Sequence, residues 1–400
     1  MSNDRREKRG SLWSSLRTRL GQESKRADKA RPIPTLDGWR AIAILLVVAH
    51  HFGTAFYAEK DYYNVAPTRY GTWGVPVFFA LSGILITKLL LEEFDRTGTI
   101  SLKSFYIRRA FRILPPASLY VICIAALGLV ATRVEFLGSL FFFRNWLPDS
   151  AAGIFTAHFW SLGVEEHFYL LWPGLLVLLG VGRRGFAAAA TISIGLALWM
   201  SADFHYHISA RIMPQNIPET RTDLRLLGLF CGCSMAFVLH WPNTRAWLQR
   251  RYTFLVWLLT ATALVGCLRY QPYLTILWVS ILIPVLMAGT TLHPRWWISR
   301  FLGLETMKWI GRISYSLYVW QQLFLLPSWE KKPLGRLQEA PFNLVLAFLV
   351  AACSYYFVEK HLIRIGHKLA GRPKSAAAEP KALWRGGSDP ARALETPAES

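Results

Sequence analysis

The stretch Leu36–Gly53 reads LDGWRAIAILLVVAHHFG, and its interpretation decides the fold. It is an apolar run with Arg40 near its start and His51 near its end, eleven residues apart. At about 100° per residue, eleven residues make roughly three turns plus 20°, so the two side chains share one stripe of a helix. At about 1.5 Å of rise per residue they stand roughly 16 Å apart along the axis, half the thickness of a bilayer core. They cannot touch, but they can face one polar passage at two depths. An ionisable group at membrane depth is expensive and reads as functional. The plainer alternative makes Arg40 a flanking charge and His51 a packed core histidine.

Composition agrees with a membrane-embedded reading. Of 400 residues 53% are hydrophobic, with 17 Trp, 15 Tyr and 24 Phe, and this excludes a string of ordinary soluble domains. Mean hydropathy is +0.27. The net charge of +20 raises the question of nucleic acid. The basic residues, however, fall mostly in tails and in short segments between apolar runs, as the positive-inside rule expects, so no nucleic-acid partner is expected. Met1–Arg31 is polar and basic and leads directly into a span, so no signal peptide is expected. The cysteines Cys123, Cys231, Cys233, Cys267 and Cys353 all lie in apolar runs and read as small packing residues.

The pattern gives an all-α integral membrane protein with about ten transmembrane helices, near 39–57, 73–92, 113–132, 160–180, 186–202, 223–240, 253–269, 273–291, 309–328 and 342–363. Phe136–Trp146 is apolar but too short to cross and reads as re-entrant or interfacial. With the N-terminus inside, the inner segments carry Lys103, Arg108, Arg109, Arg112, Arg183, Arg184, Arg245, Arg250, Arg251, Arg295, Arg300 and Lys308. The outer ones carry fewer basic residues and mix them with acids. Both termini are therefore expected in the cytoplasm. The expected organisation is a basic tail over 1–34, a membrane domain over 35–366 and a disordered tail over 367–400. Leu12, Trp13, Leu16 and Leu20 fall at helical spacing among basic residues; a surface helix on anionic lipid and a solvated tail both fit. No internal repeat of the kind found in secondary transporters is apparent.

Three further clusters carry candidate chemistry. In SFYIRRAFRILPP, Ser104–Pro116, Arg109 and Arg112 project from one helical face, and such a pair of guanidinium forks suits phosphate oxygens. A topology signal attracting lipid headgroups is the alternative. In AHFWSLGVEEHFYLLWP, Ala157–Pro173, the span enters from the outer side, so Glu165 and Glu166 sit about one turn down and one of them faces the interior. His51 then falls at similar depth, and a carboxylate accepting an imidazole N–H would fix its tautomer and raise its basicity; a structural polar pair is the alternative. In ETRTDLRLLG, Glu219–Gly228, Arg221 and Asp223 are placed to bind a sugar, to pair with Glu165 or to form an interfacial salt bridge. No metal site is expected, since His205 and His207 lie two apart without a clear third ligand.

These strings resemble the membrane acyltransferase-3 family of bacterial integral membrane O-acyltransferases. The resemblance is carried, in order, by LDGWRAIAILLVVAHH, FFALSGILIT (Phe78–Thr87), FYIRRAFRILPP, FWSLGVEEHFYLLWP, TRTDLRLLG and GRISYSLYVW (Gly311–Trp320), covering nearly all of 35–360. The family's Arg–His signature falls on Arg40 and His51, its RxxR pair on Arg109 and Arg112, its SL-x-VE acid on Glu165, and its Arg-x-Asp on Arg221 and Asp223.

The resemblance implies transfer of an acyl group, acetyl being the expected one, from cytoplasmic acyl-CoA to a hydroxyl of a cell-envelope or exported glycan, in the bacterial cytoplasmic (inner) membrane. On that reading Arg109 and Arg112 bind the acyl-CoA phosphates with Arg40 guiding the donor. His51 is the base or the acyl carrier, Glu165 orients it, and Arg221 and Asp223 meet the acceptor. Acyl-CoA, expected to be acetyl-CoA, is a substrate, with no tightly bound cofactor. A homo-oligomer or an envelope-biosynthesis partner is left open. Two departures stand out. Gln321 follows Trp320 where many members place a histidine, and Glu359-Lys360-His361 stands where many have Glu-Arg-Pro. The C-terminal tail is too short for the extracellular esterase-like domain of some members, so transfer is expected to finish within the membrane domain or to pass to a separate partner. The competing function is a transporter or exporter of a glycan or lipid-linked intermediate, which needs no thioester; a non-catalytic scaffold is a third reading.

Overall fold

A computed structural model describes residues 34–57, 70–147, 153–212, 221–270 and 274–371. Among them every element is helical. In chain order the helices are α1 (Pro34–Phe56), α2 (Gly74–Thr97), α3 (Leu102–Ala126), the short α4 (Arg133–Leu140), α5 (Phe159–Leu179), α6 (Arg183–Tyr206), the short α7 (Ile208–Ile212), α8 (Thr222–His240), α9 (Pro242–Arg251), α10 (Phe254–Tyr270), α11 (Thr275–Leu292), α12 (Trp297–Leu302), α13 (Glu305–Phe324), α14 (Phe342–Cys353) and α15 (Lys360–Leu369). A turn of π-helix, Ser354–Glu359, joins the last two.

Eight helical stretches among the described residues are long and apolar enough to cross a bilayer, and α9 with α10, bent by 85°, make a ninth if counted together. Ten spans were expected, and the tenth, 309–328, corresponds to α13. Thirteen of its twenty residues are buried, and it carries Glu305, Lys308, Arg312, Gln321 and Gln322. A helix surrounded by other helices needs no lipid-compatible surface, so it carries more polar residues than a lipid-facing span does. Apolar side chains such as Leu171, Leu178, Leu198, Val265 and Phe357 face outward, as a lipid-facing surface requires.

Helix directions alternate as successive crossings would. α1 and α13 run parallel: a Cβ on Gly311 would lie 2.1 Å from the Asp37 carbonyl oxygen, and the Ser328 amide donates to the Thr54 carbonyl at 2.9 Å. α2 and α8 are also parallel and almost touch, since a Cβ on Gly83 would lie 2.0 Å from the Leu229 carbonyl and one on Gly232 2.4 Å from that of Ala80. Without side chains at these positions the backbones approach closely, which is how helices associate where apolar burial gives no drive. α1 and α2 are antiparallel, with Gly71 against His50 and Gly74 against Ala43 and Val47.

Two boundaries differ from expectation in ways that shape the site. The third span begins at Leu102 rather than 113, because Ser101 caps it and the basic stretch is already helical. Arg108, Arg109 and Arg112 therefore stand on α3 and not in a cytoplasmic loop. Phe136–Trp146 folds as α4 plus a 3-10 turn, Arg144–Trp146, that packs on α5. Glu135 of α4, fully buried, accepts from the Thr156 hydroxyl (2.6 Å) and the Ala131 amide (2.9 Å). At the C-terminal end α15 continues to Leu369, past the expected tail boundary at 366. The surface helix anticipated around Leu12–Leu20 and the tail from 372 onward lie outside the described residues.

Candidate functional site

The chemistry-bearing residues separate into three places. The first is a cavity among α1, α2, α3, α5 and α13 whose empty space, solvent at its mouth included, is about 780 Å³. Arg40, Arg109, Arg112, Glu165, Glu166, Ser82 and Tyr169 all line it. Arg40 pairs with Asp37 one turn away at 2.7 Å. Among the described residues neither Arg109 nor Arg112 makes an ion pair. The Arg109 guanidinium instead lies over the Tyr169 ring, 4.9 Å from its centroid, and 5.8 Å from that of Phe105. Two cations without a carboxylate in contact, one of them held over aromatic faces, make a receptor for an anion inside this cavity.

Glu165 is held on both oxygens. The Ser82 hydroxyl donates to Oε1 at 3.0 Å and the Tyr169 hydroxyl to Oε2 at 3.0 Å, with the two hydroxyls 2.9 Å apart. Tyr169 lies one helical turn from Glu165, so its hydroxyl fixes the acid while its ring carries the Arg109 cation. Both acids of the Glu165–Glu166 pair line the cavity, where only one was expected to face inward. Neighbours about 100° apart on a helix can both border a space this wide.

Glu165 is not beside His51. Continuing the α1–α2 register from Gly71–His50 and Gly74–Val47 puts Ser82, and so Glu165, at the level of Trp39 and Arg40. The reason is where α5 begins. Counting from the membrane surface placed Glu165 one turn down, but Phe155, Thr156, His158 and Phe159 are already buried, so the helix starts inside the protein. The carboxylate thus sits about three turns of α1 away from His51.

The second place is around His51, which does not line the cavity. Its neighbours are His50, with ring centroids 4.9 Å apart, and His158, which lies within electrostatic reach. His158 is 4% exposed, its Nε2 is 3.0 Å from the Val319 carbonyl, and it stacks edge-on against Tyr120 and Tyr318. The Ser161 and Tyr318 hydroxyls, 2.5 Å apart, both donate toward the His158 carbonyl and both line the cavity, linking the two places. Sequence reasoning did not single out His158. The signal was its position three residues before Ser161, but periodicity within α5 says nothing about a neighbour on α1.

The third place is remote from both. Arg221, at the start of α8, bonds to Asp203 of α6 at 2.8 Å and also to Asp223. Asp203 further accepts from the Ser209 amide and hydroxyl, and Asp223 from the Trp199 indole at 2.7 Å. Burial works against the Arg221 charge, but the hydrogen bonds to Asp223 and Asp203 outweigh it and hold the guanidinium above its ordinary range. Of the three options open for Arg221 and Asp223, the geometry is that of a salt-bridge network joining α6 to α8; the partners of Arg221 are Asp203 and Asp223, not Glu165, which Ser82 and Tyr169 hold. Glu359 is buried against the Ser316 hydroxyl of α13 and does not line the cavity.

Comparison with known proteins identifies the family. A family model described as an acyltransferase domain matches residues 33–359. The chain is 28% identical over 376 residues to a peptidoglycan O-acetyltransferase, OatA, of Listeria monocytogenes, covering 84% of this chain and 56% of that protein. It is 29% identical to a putative peptidoglycan O-acetyltransferase, YrhL, of Bacillus subtilis, covering 86% and 56%. To a putative O-acetyltransferase of Staphylococcus aureus it is 28% identical, covering 85% and 59%. The chain thus spans a little over half the length of these relatives. No solved structure matches.

Proposed function

This chain belongs to that acyltransferase family, and on that footing we propose that it is a membrane O-acetyltransferase, moving an acetyl group from cytoplasmic acyl-CoA to a hydroxyl of a cell-envelope or exported glycan. The observation that carries the reading is the cavity in which Arg109 and Arg112 stand without ion-pair partners beside Arg40. Such a cluster suits a polyphosphate donor more than a neutral cargo. The relatives' names support acetyl as the group and peptidoglycan as one acceptor class.

In this reading both termini lie in the cytoplasm and the protein sits in the bacterial inner membrane. The donor phosphates bind Arg109 and Arg112, with Arg40 at the same end. Glu165, fixed by Ser82 and Tyr169, stands beside the cationic cluster and sets the position of the bound thioester rather than the affinity for the phosphates. The thioester points along the cavity towards Ser161 and Tyr318, and His51 stands beyond them. His51 removes the proton from the acceptor hydroxyl as its oxygen attacks the thioester carbonyl; the C–S bond breaks and the thiolate leaves with a proton. General-base assistance of this kind contributes about 10²–10⁴ in rate. Orientation of His51 falls to His158 or His50, and Glu165 is a donor-side residue. Arg221 and Asp223 hold α6 against α8, at an end where an acceptor can be presented.

The test is mass spectrometry of surface and secreted glycans from wild type, a deletion strain and a strain carrying His51→Ala at matched abundance. Loss of an acetyl-sized mass in both the deletion and the point variant is expected. Retained acylation with whole glycans missing or accumulating inside would overturn the reading in favour of transport.

A further inference from the structure

The register of α1 against α13 brings a second polar layer to within about one helical turn of His51. Gly311 meets Asp37 and Ser328 meets Thr54, so the same offset sets Gln321 and Gln322 opposite Val47 and Val48. α1 and α13 run parallel, so their side chains lean alike, and the two glutamines stand within about one helical turn of His51. His158 reaches the layer from α5 through the Val319 carbonyl at 3.0 Å.

These groups are buried and incompletely paired. Gln321 is 0% exposed with neither amide atom bonded, and Gln322 is 1% exposed with a free Oε1. The Trp320 indole N–H and the His158 Nδ1 are also without partners. Since a carbonyl only accepts, His158 Nε2 carries the proton and Nδ1 is a bare acceptor. Gln321, Gln322 and His158 therefore offer a donor, Gln321 Nε2, and three acceptors, Gln321 Oε1, Gln322 Oε1 and His158 Nδ1. Each unmade hydrogen bond leaves the desolvation penalty of its group uncompensated, and folded proteins hold few such groups. An anion would call for donors alone and a hydrocarbon for neither. A mixed set of donors and acceptors matches hydroxyls, each of which gives one hydrogen bond and accepts others.

We propose that Gln321, Gln322 and His158 form the acceptor subsite, in which the reacting hydroxyl of a sugar and its ring neighbours are bound against His51. The inference rests on the acetyltransferase reading above. It adds that donor and acceptor occupy separate layers: the arginine cavity below and the glutamine–histidine layer above, with Ser161 and Tyr318 between. The layer is closed to solvent, so the sugar enters by separating the side chains of α5 and α13, replacing unmade bonds with bonds to itself.

The experiment uses the full-length protein in membranes, labelled acetyl-CoA, and the glycan fraction extracted from the deletion strain. Gln321→Leu keeps the volume and removes both polar atoms. The expected result is an acceptor KM raised at least tenfold, with the KM for acetyl-CoA within twofold of wild type and undiminished abundance. An unchanged acceptor KM, with a raised melting temperature, would overturn the proposal and make Gln321 a packing liability only. Should Gln321→Leu fail to accumulate, Gln322→Leu carries the same test with the same two outcomes. Wild-type protein that consumes no acetyl-CoA in the presence of the glycan overturns the acetyltransferase reading, and this inference with it.

Discussion

Replacing Tyr169 by phenylalanine removes one oxygen and leaves everything else in the cavity in place. That oxygen is 3.0 Å from Glu165 Oε2 and 2.9 Å from Ser82 Oγ, while the ring beneath Arg109 is retained. A hydrogen bond to a charged group contributes about 1.5–3 kcal/mol. If Glu165 acts only in the position this bond fixes, kcat falls about ten- to a hundredfold, at about 1.4 kcal/mol per tenfold. Donor KM is expected to stay near wild type, because the stacking surface for Arg109 survives. Tyr169→Leu removes the ring as well. Losing a cation–π contact of about 0.5–2 kcal/mol should then raise donor KM several-fold on top of the kcat loss. The assay is steady-state acetyl transfer by membranes with matched protein abundance, varying acetyl-CoA. Wild-type kcat in Tyr169→Phe would refute the positioning argument. Equal donor KM in the Phe and Leu variants would refute the claim that the ring holds Arg109 for the donor.

Two other expectations follow from the same geometry. Replacing Arg109 and Arg112 together by glutamine should raise donor KM at least tenfold and leave acceptor KM unchanged, read in the same assay; an unchanged donor KM would remove them from donor binding. Gly83→Ala should abolish accumulation of the protein, since its Cβ would meet the Leu229 carbonyl at 2.0 Å, whereas Gly195→Ala, with nothing within 4 Å, should accumulate normally; immunoblots of the two variants compare them.

Much of the fold was legible because it rests on patterns within single helices. Apolar runs of bilayer length, with basic residues between them, gave the helical membrane class and the positions of nine of the crossings. The tenth, α13, was legible as an apolar run too, and only its burial at the centre explains why it tolerates Gln321 and Gln322. The arginine pair was legible as one helical face. What the pattern misplaced was the start of the third span, expected at 113 and found at Leu102. Ser101 caps α3 before the arginines, so they enter the bundle and line a cavity.

Taken by itself, the sequence determined that the chain is a bundle of membrane helices, that Arg40 and His51 share one stripe, and that Arg109 and Arg112 share another. These follow from a rise and a rotation per residue that hold inside any one helix. Only the tertiary structure decided which stripes meet. Close contacts at Gly71, Gly74, Gly83 and Gly311 fix how far each helix slides past its neighbour, and no periodicity within a helix encodes that slide. The buried start of α5 then lowers Glu165 to the level of Arg40, away from His51, and leaves His158 within electrostatic reach of it. Axial register between helices is a packing property, and it alone separated the acidic partner from the histidine.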